Sequence, residues 1–323
     1  GPIRYADDLS KLSSRTDQFP KPVSIKGVQC IVGVEDALQL GIKQGAHNVL
    51  LSEVIDLSGK PSEETWQVDG NFSQNRSKVY NLPADIKQIN IAGFSNEGLF
   101  VEEGQPLGIL KGNYIEKDPK TGQRIVQANG DYLSNYVTGI LGNPIPDYKA
   151  AVISTLSWKG ISFRMQWDFT MGGVMMAYTP GTLIGRGLTK DTEFDRYLPL
   201  ILPGIKEDGT PNDIQISTSQ AYFDNWSGFY GGGDLITYDA TCYRLREASL
   251  AYALPQKVVE KTPFGSVSVT VSGQNLWYLA PGFPKYVNFD PEVNSLGVSN
   301  GRGYETLAGP TSRRIGASIR ITF

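Results

Sequence analysis

From Trp66 onward the chain alternates between apolar and polar positions. In residues 66–73, Trp66, Val68, Gly70 and Phe72 fall on one side and Gln67, Asp69, Asn71 and Ser73 on the other. That period of two is the mark of a strand with one apolar face. Residues 161–170 carry it most clearly. Ile161, Phe163, Met165, Trp167 and Phe169 oppose Ser162, Arg164, Gln166, Asp168 and Thr170. Only Lys159-Gly160 separates this run from residues 150–158, which predicts a hairpin closed by a tight turn. Further strands are predicted over residues 87–94, 241–255 and 265–279, where Val267, Val269 and Val271 alternate with Ser268, Thr270 and Ser272. The final stretch, RRIGASIRITF, alternates up to its last residue: Ile315, Ala317, Ile319, Ile321 and Phe323 against Arg314, Gly316, Ser318, Arg320 and Thr322.

Between these runs lie long segments rich in Gly and Pro, at residues 101–134, 176–238 and 279–311. Lys120-Thr121-Gly122 marks a turn within the first of them. Residues 1–60 show no sustained period; residues 34–55 have helix-like apolar spacing in places but no clean cap, and the stretch carries no assignment. Short turns alternating with long loops fit two architectures. A secreted β-sandwich that binds glycans would bury the apolar face and solvate the polar one. A membrane β-barrel would turn the apolar face to lipid and the polar face to its lumen. Aromatic residues near strand ends (Trp158, Trp167, Phe169, Tyr243, Tyr252, Trp277, Tyr278 and Phe323) lean toward the barrel, because interfacial girdles have that distribution.

Composition narrows the chemistry. The 323 residues hold a single histidine, His47, which removes most His-based catalysis and most zinc sites. Cys30 and Cys242 are too few for a disulfide framework. A net charge of −3 carries no footprint for nucleic acid. No run of apolar residues is long enough for a membrane-spanning helix, which says nothing of spanning strands. The acidic pairs Glu63-Glu64, Glu102-Glu103 and Glu207-Asp208 read as loop charge rather than a catalytic couple, since adjacent strand residues face opposite ways. The stretch around Asp290-Pro291 has oxygen ligands at short spacing but lacks the pattern of a calcium loop, so a turn is the better reading. Phe229 to Asp234 shares only its glycines with a phosphate loop. No catalytic residue, metal or cofactor is expected. For ligand contact, Tyr222, Trp226, Phe229 and Tyr230 have the composition of a stacking surface for sugars, and equally of a loop anchored in a barrel mouth.

Seven segments taken in order carry a resemblance: NFSQNRSKVYNLP, EGQPLGILKGNY, ILGNPIPDYKAAV, YRLREASLAYALP, VSVTVSGQNLWYL, FDPEVNS and GPTSRRIGASIRITF. Together they resemble the C-terminal part of SusC/RagA-type TonB-dependent outer-membrane transporters. The resemblance implies an all-β, antiparallel transmembrane β-barrel of about 22 strands with a plugged lumen. Residues 61–323 would be its C-terminal strands and loops, incomplete in this chain, with the plug and the TonB-contacting region missing. It implies the bacterial outer membrane as location and uptake of oligosaccharides or peptides as function. Its partners would be a SusD-like surface lipoprotein, TonB, the outer-membrane assembly machinery and membrane lipid. On this reading Arg164, Gln166, Asp168 and Arg320 face the lumen, and Phe323 is part of the barrel-assembly signal.

Overall fold

The computed structural model describes residues 23–25, 28–36, 42–56, 64–223, 233–296 and 301–323. Every alternating run is a strand. In chain order β1 (Val23–Ile25), β2 (Val28–Asp36), β3 (Ile42–Asp56) and β4 (Glu64–Val79) come first. The first long excursion holds β5 (Gln88–Phe94), β6 (Glu97–Glu102), β7 (Ile109–Ile115), β8 (Ile125–Val126) and β9 (Ser134–Gly142). Then come β10 (Tyr148–Trp158) and β11 (Ile161–Met171). The second excursion holds β12 (Val174–Ala177), a short helix Tyr178–Gly185, β13 (Ile205–Lys206) and β14 (Thr237–Asp239). β15 (Cys242–Ala253) and β16 (Ser266–Leu279) follow, then β17 (Tyr304–Glu305) in the third excursion, and β18 (Arg314–Thr322).

Nine of these strands form one antiparallel sheet in the order β1-β2-β3-β4-β10-β11-β15-β16-β18. The helix-like spacing of residues 34–55 is overruled here: β2 and β3 pair with each other, and β3 pairs with β4 over fifteen residues, from Ile42↔Val79 to Asp56↔Thr65. A short window of mixed apolar spacing cannot separate helix from strand. Pairing along a whole neighbouring strand does.

Register stacks the apolar residues of successive strands. Trp66, Leu156, Phe163, Leu250, Val271 and Ala317 form one row across the sheet. This face is open. Leu250 and Val271 are each 52% exposed and Ile315 75%. Among the described residues no second sheet covers it, which separates this architecture from a sandwich. The opposite face carries the polar row, and Arg164, Gln166 and Asp168 lie on it beside Ser249, Glu247 and Arg244. Arg320 lies on it beside Ser268.

The alternation holds across β15 because of a bulge. Trp167 pairs with Leu245 but Gln166 with Glu247, so Arg246 is an extra residue. Before the bulge Tyr243 and Leu245 are on the apolar face; after it Ala248, Leu250 and Tyr252 are. Arg246 and Glu247 therefore both serve the polar face. A strict period of two through Arg244–Tyr252 would have put Leu250 and both arginines on one side.

Among the described residues the buried hydrophobic clusters lie outside the nine-stranded sheet. They lie at one end, where the three excursions leave β4, β11 and β16. Leu99 and Leu110 from the first, Met176 and Ile236 from the second and Tyr304 from the third make one cluster. A second cluster joins Met175 and Ala177 to Phe283, Phe289 and Val293. Backbone pairing knits the same segments: β12 lies between β14 and β17. The long loops are thus a folded cap.

At the other end, Lys159 (φ 46°) and Gly160 (φ 84°) make the turn between β10 and β11. Two positive φ values match the twist of a hairpin and favour glycine. A Cβ on Gly160 would sit 2.9 Å from the Ala253 carbonyl oxygen. Gly160→Ala is expected to cost about 1–3 kcal/mol. A lowered unfolding temperature in detergent checks this, with Lys159→Asn as a turn-compatible control.

Candidate functional site

The polar face is densest where β11, β15 and β16 meet the third excursion. Arg244 projects from β15 just before the bulge and Arg246 at the bulge itself. Arg244 is almost fully buried and pairs with Asp290. Asp290 also accepts hydrogen bonds from Thr311 Oγ1 at 2.6 Å and the Glu292 backbone N–H at 2.9 Å. Burial raises the Asp290 pKa, but the bonds from Arg244, Thr311 and Glu292 outweigh it and hold the carboxyl below its ordinary value. This is the turn expected at Asp290-Pro291, with its acid taken by an arginine. The guanidinium also lies 5.3 Å from the ring centre of Tyr278. Tyr278, grouped with the girdle aromatics above, instead shares the polar face with Arg244, its register partner, and donates to the Asn288 carbonyl.

Arg246 joins three elements. It donates to Asp168 on β11 at 2.6 Å, to Asn275 on β16 at 3.0 Å, and in a fork to Glu292 at 2.6 and 2.9 Å. Such bidentate geometry is the strong form of the arginine–carboxylate bond. Asp168 accepts also from Gln166 at 2.9 Å, and Arg164 approaches Glu247 to 3.9 Å. The sequence reading selected Arg164, Gln166 and Asp168 but not Arg244, Arg246, Asp290 and Glu292. The available signal was the break of alternation at Arg-Leu-Arg-Glu, which a bulge explains.

Two clefts border this network. One, of about 280 Å³, lies between the ends of β10, β11 and β15 and the loops around Pro144 and Arg302. The other, of about 550 Å³, lies above β16 and includes Asn275, Tyr278, Thr311 and Arg313.

Elsewhere in the cap Glu97 accepts from the hydroxyls of Tyr178 and Tyr304, the latter at 2.9 Å. Burial first, and then this carboxylate, hold both phenols above their ordinary range, so they stay donors. The acidic pairs are dispersed. Glu102 bridges to Lys111 at 2.5 Å, and Glu103 accepts from the backbones of Asn81 and Leu82. Among the described residues no cluster suits a metal ion. Cys242 is a buried free thiol. Tyr222 packs against Phe194 with ring centres 5.1 Å apart. Trp226, Phe229 and Tyr230 lie outside the described residues.

The apolar face has its own order. Its aromatic residues gather at two heights. Toward the cap lie the edge-on pairs Trp167–Trp277 at 6.0 Å and Phe169–Tyr243 at 6.1 Å, with Phe72 stacked on Tyr148 at 5.4 Å. Toward the turns lie Trp158 and Tyr252, and Phe323 packs edge-on against Phe264 at 5.5 Å. Between the two heights the exposed residues are mostly aliphatic or Phe, among them Leu156, Phe163, Leu250 and Val271, with Trp66 at the end of that row.

No family profile matches the chain. Among characterised proteins it is similar to TonB-dependent receptor P3 of Formosa agariphila, 25% identical over 263 residues, covering 74% of this chain and 24% of that protein. It is also similar to TonB-dependent receptor P26 of the same organism, 24% identical over 282 residues, covering 80% and 27%. The chain thus spans about a quarter of the length of these relatives. Among solved structures it shares the fold of the RagAB peptide transporter, with TM-score 0.55 and 18% identity over 87% of this chain and 29% of that one. The RagAB peptide importer in its open-open state matches with TM-score 0.54 and 18% identity over 92% of this chain and 32% of that one.

Proposed function

We infer that the chain is a barrel segment of a SusC/RagA-type TonB-dependent receptor and forms part of the wall and outer cap of an outer-membrane importer. The observation that carries this reading is the inverted sheet. Its apolar face is exposed between two aromatic bands, and its polar face is crossed by ion pairs. That arrangement is costly in water and suits lipid on one side and a wet lumen on the other. Arg164, Gln166, Asp168 and Arg320 then line the lumen. The cap faces outward, since long loops in such barrels lie on the outer side.

The substrate is an oligosaccharide or a peptide, delivered with a SusD-like surface lipoprotein and driven by TonB. No bond in the substrate is broken. Tyr222, Trp226, Phe229 and Tyr230 are proposed to contact it at the mouth. Phe323, at the end of β18, serves recognition by the assembly machinery. In the described structure β18 is an edge strand, paired with β16 alone; in a closed barrel its free side would pair with the first strand.

Fractionation of the native host tests the reading. The protein is expected in the outer membrane, with a heat-modifiable mobility on gels, and co-purifying with a lipoprotein. Disrupting its gene, or TonB, should abolish uptake of its solute. Recovery in the soluble fraction would sink the proposal.

A further inference from the structure

The smaller cleft holds two cations that the ion-pair network leaves out. Lys149 stands at the start of β10 on the polar face, opposite Thr170 and Ser73. Arg302 comes from the third excursion, beside β17. Both line the cleft, and neither side chain makes a hydrogen bond or ion pair among the described residues. Glu292, the acid in the lining, is already held in a fork by Arg246 and lies 3.5 Å from Arg244. Pairing Arg244 with Asp290 and Arg246 with Asp168 leaves Glu292 as one negative charge against the two cations, so the cleft keeps a net positive charge. Two half-buried like charges near one another are unfavourable unless something neutralises them. Burial accordingly draws Arg302 below the ordinary guanidinium range, although Glu292 opposes this.

We propose that this cleft binds a carboxylate carried by the transported solute, with Arg302 and Lys149 as its two cationic contacts. The inference rests on the import reading above and adds a substrate class to it. A guanidinium presents a planar fork that matches a carboxylate, and the ammonium adds a compact charge. The rest of the lining includes Pro144, Pro146, Val174 and Met175, which suit a carbon skeleton rather than a free ion. At about 280 Å³ the cleft accommodates one unit of an oligomer, not a whole solute. Uronic acids and peptide C-termini both supply such a group.

The test uses the intact transporter with its lipoprotein, purified in detergent, and calorimetric titration. One pair of probes is a trimer of a uronic acid and its methyl ester; the other is a tripeptide and its C-terminal amide. In one pair the free acid is expected to bind at least about tenfold tighter than the neutral form, and that pair identifies the source. Lys149→Gln and Arg302→Gln should each remove most of this preference, whereas Arg302→Lys, which keeps the charge and controls for folding, should retain part of it. Equal binding of acid and neutral forms, preference unchanged in the Gln variants, or no binding of either pair would overturn the inference. Uptake in cells separates the two ideas. TonB-dependent uptake that ignores the charge sinks only the cleft. Absence of TonB-dependent uptake of any solute sinks the importer.

Discussion

Arg244→Ala is expected to release the third excursion from the barrel wall at a cost of about 3–5 kcal/mol. That is the range for removing one partner of a buried ion pair. Both side chains are only 2% exposed, so Asp290 would be left desolvated with its charge uncompensated. Limited proteolysis should then cut between residues 280 and 313, while β16 and β18 stay paired. Asp290→Asn should act in the same direction, since it strands Arg244. The double change Arg244→Met with Asp290→Leu should recover much of the loss, because apolar residues of similar size need no partner. Recovery would assign the loss to stranded charge. A double variant as unstable as the single ones would contradict that account.

The same pair sets a pH dependence. The folded-state pKa of Asp290 is depressed relative to the unfolded chain. Its contribution is therefore fully present above the unfolded value and is lost as pH falls through the folded one. Docking of the excursion should be constant from neutral pH down to the ordinary carboxylate range and should weaken only below it. Protease sensitivity measured across that range checks the sign. In Asp290→Asn the acid-induced step should be absent.

The second large effect concerns the open face. Val271→Arg is expected to cost about 2–4 kcal/mol of barrel stability in lipid, the range for arginine near the bilayer midplane. Val271 lies between the two aromatic bands, with Leu250 and Ala317 as its partners across the strands. Its neighbour Thr270 points to the polar face, where Ala251 and Ser318 are its partners. Thr270→Arg should fold nearly as well as the parent. Yield in the outer membrane and urea unfolding in liposomes read the difference. Equal tolerance at the two positions would contradict the assignment of lipid and lumen faces.

How much of this was legible beforehand differs by element. The runs at residues 161–170 and 265–279 announced their strands, because alternation is a local property and both faces are chemically uniform. The tight turn at Lys159-Gly160 was legible for the same reason. In residues 241–255 the alternation is broken, and no local rule says that Arg246 is the surplus residue. Residues 34–55 showed weak helical spacing, yet they belong to strands whose partner is β4. Of the site, Arg164, Gln166 and Asp168 were visible as a polar face. Arg244, Arg246, Asp290 and Glu292 were not visible as a group, because Asp290 and Glu292 are separated from the two arginines by at least 44 residues of chain.

By itself the sequence determined the strands of the alternating runs, the existence of two unlike faces, the turn at one end and the resemblance to a family of barrels. Each of these depends on neighbours along the chain or on motifs in order. Only the tertiary structure decided that the apolar face stays uncovered among the described residues, and that three separate loops share one core. It alone brought Lys149 and Arg302 to one cleft whose single acid, Glu292, is already held by Arg246. These are relations between residues distant in sequence, set by register across strands and by packing between loops, and a one-dimensional pattern carries no record of either.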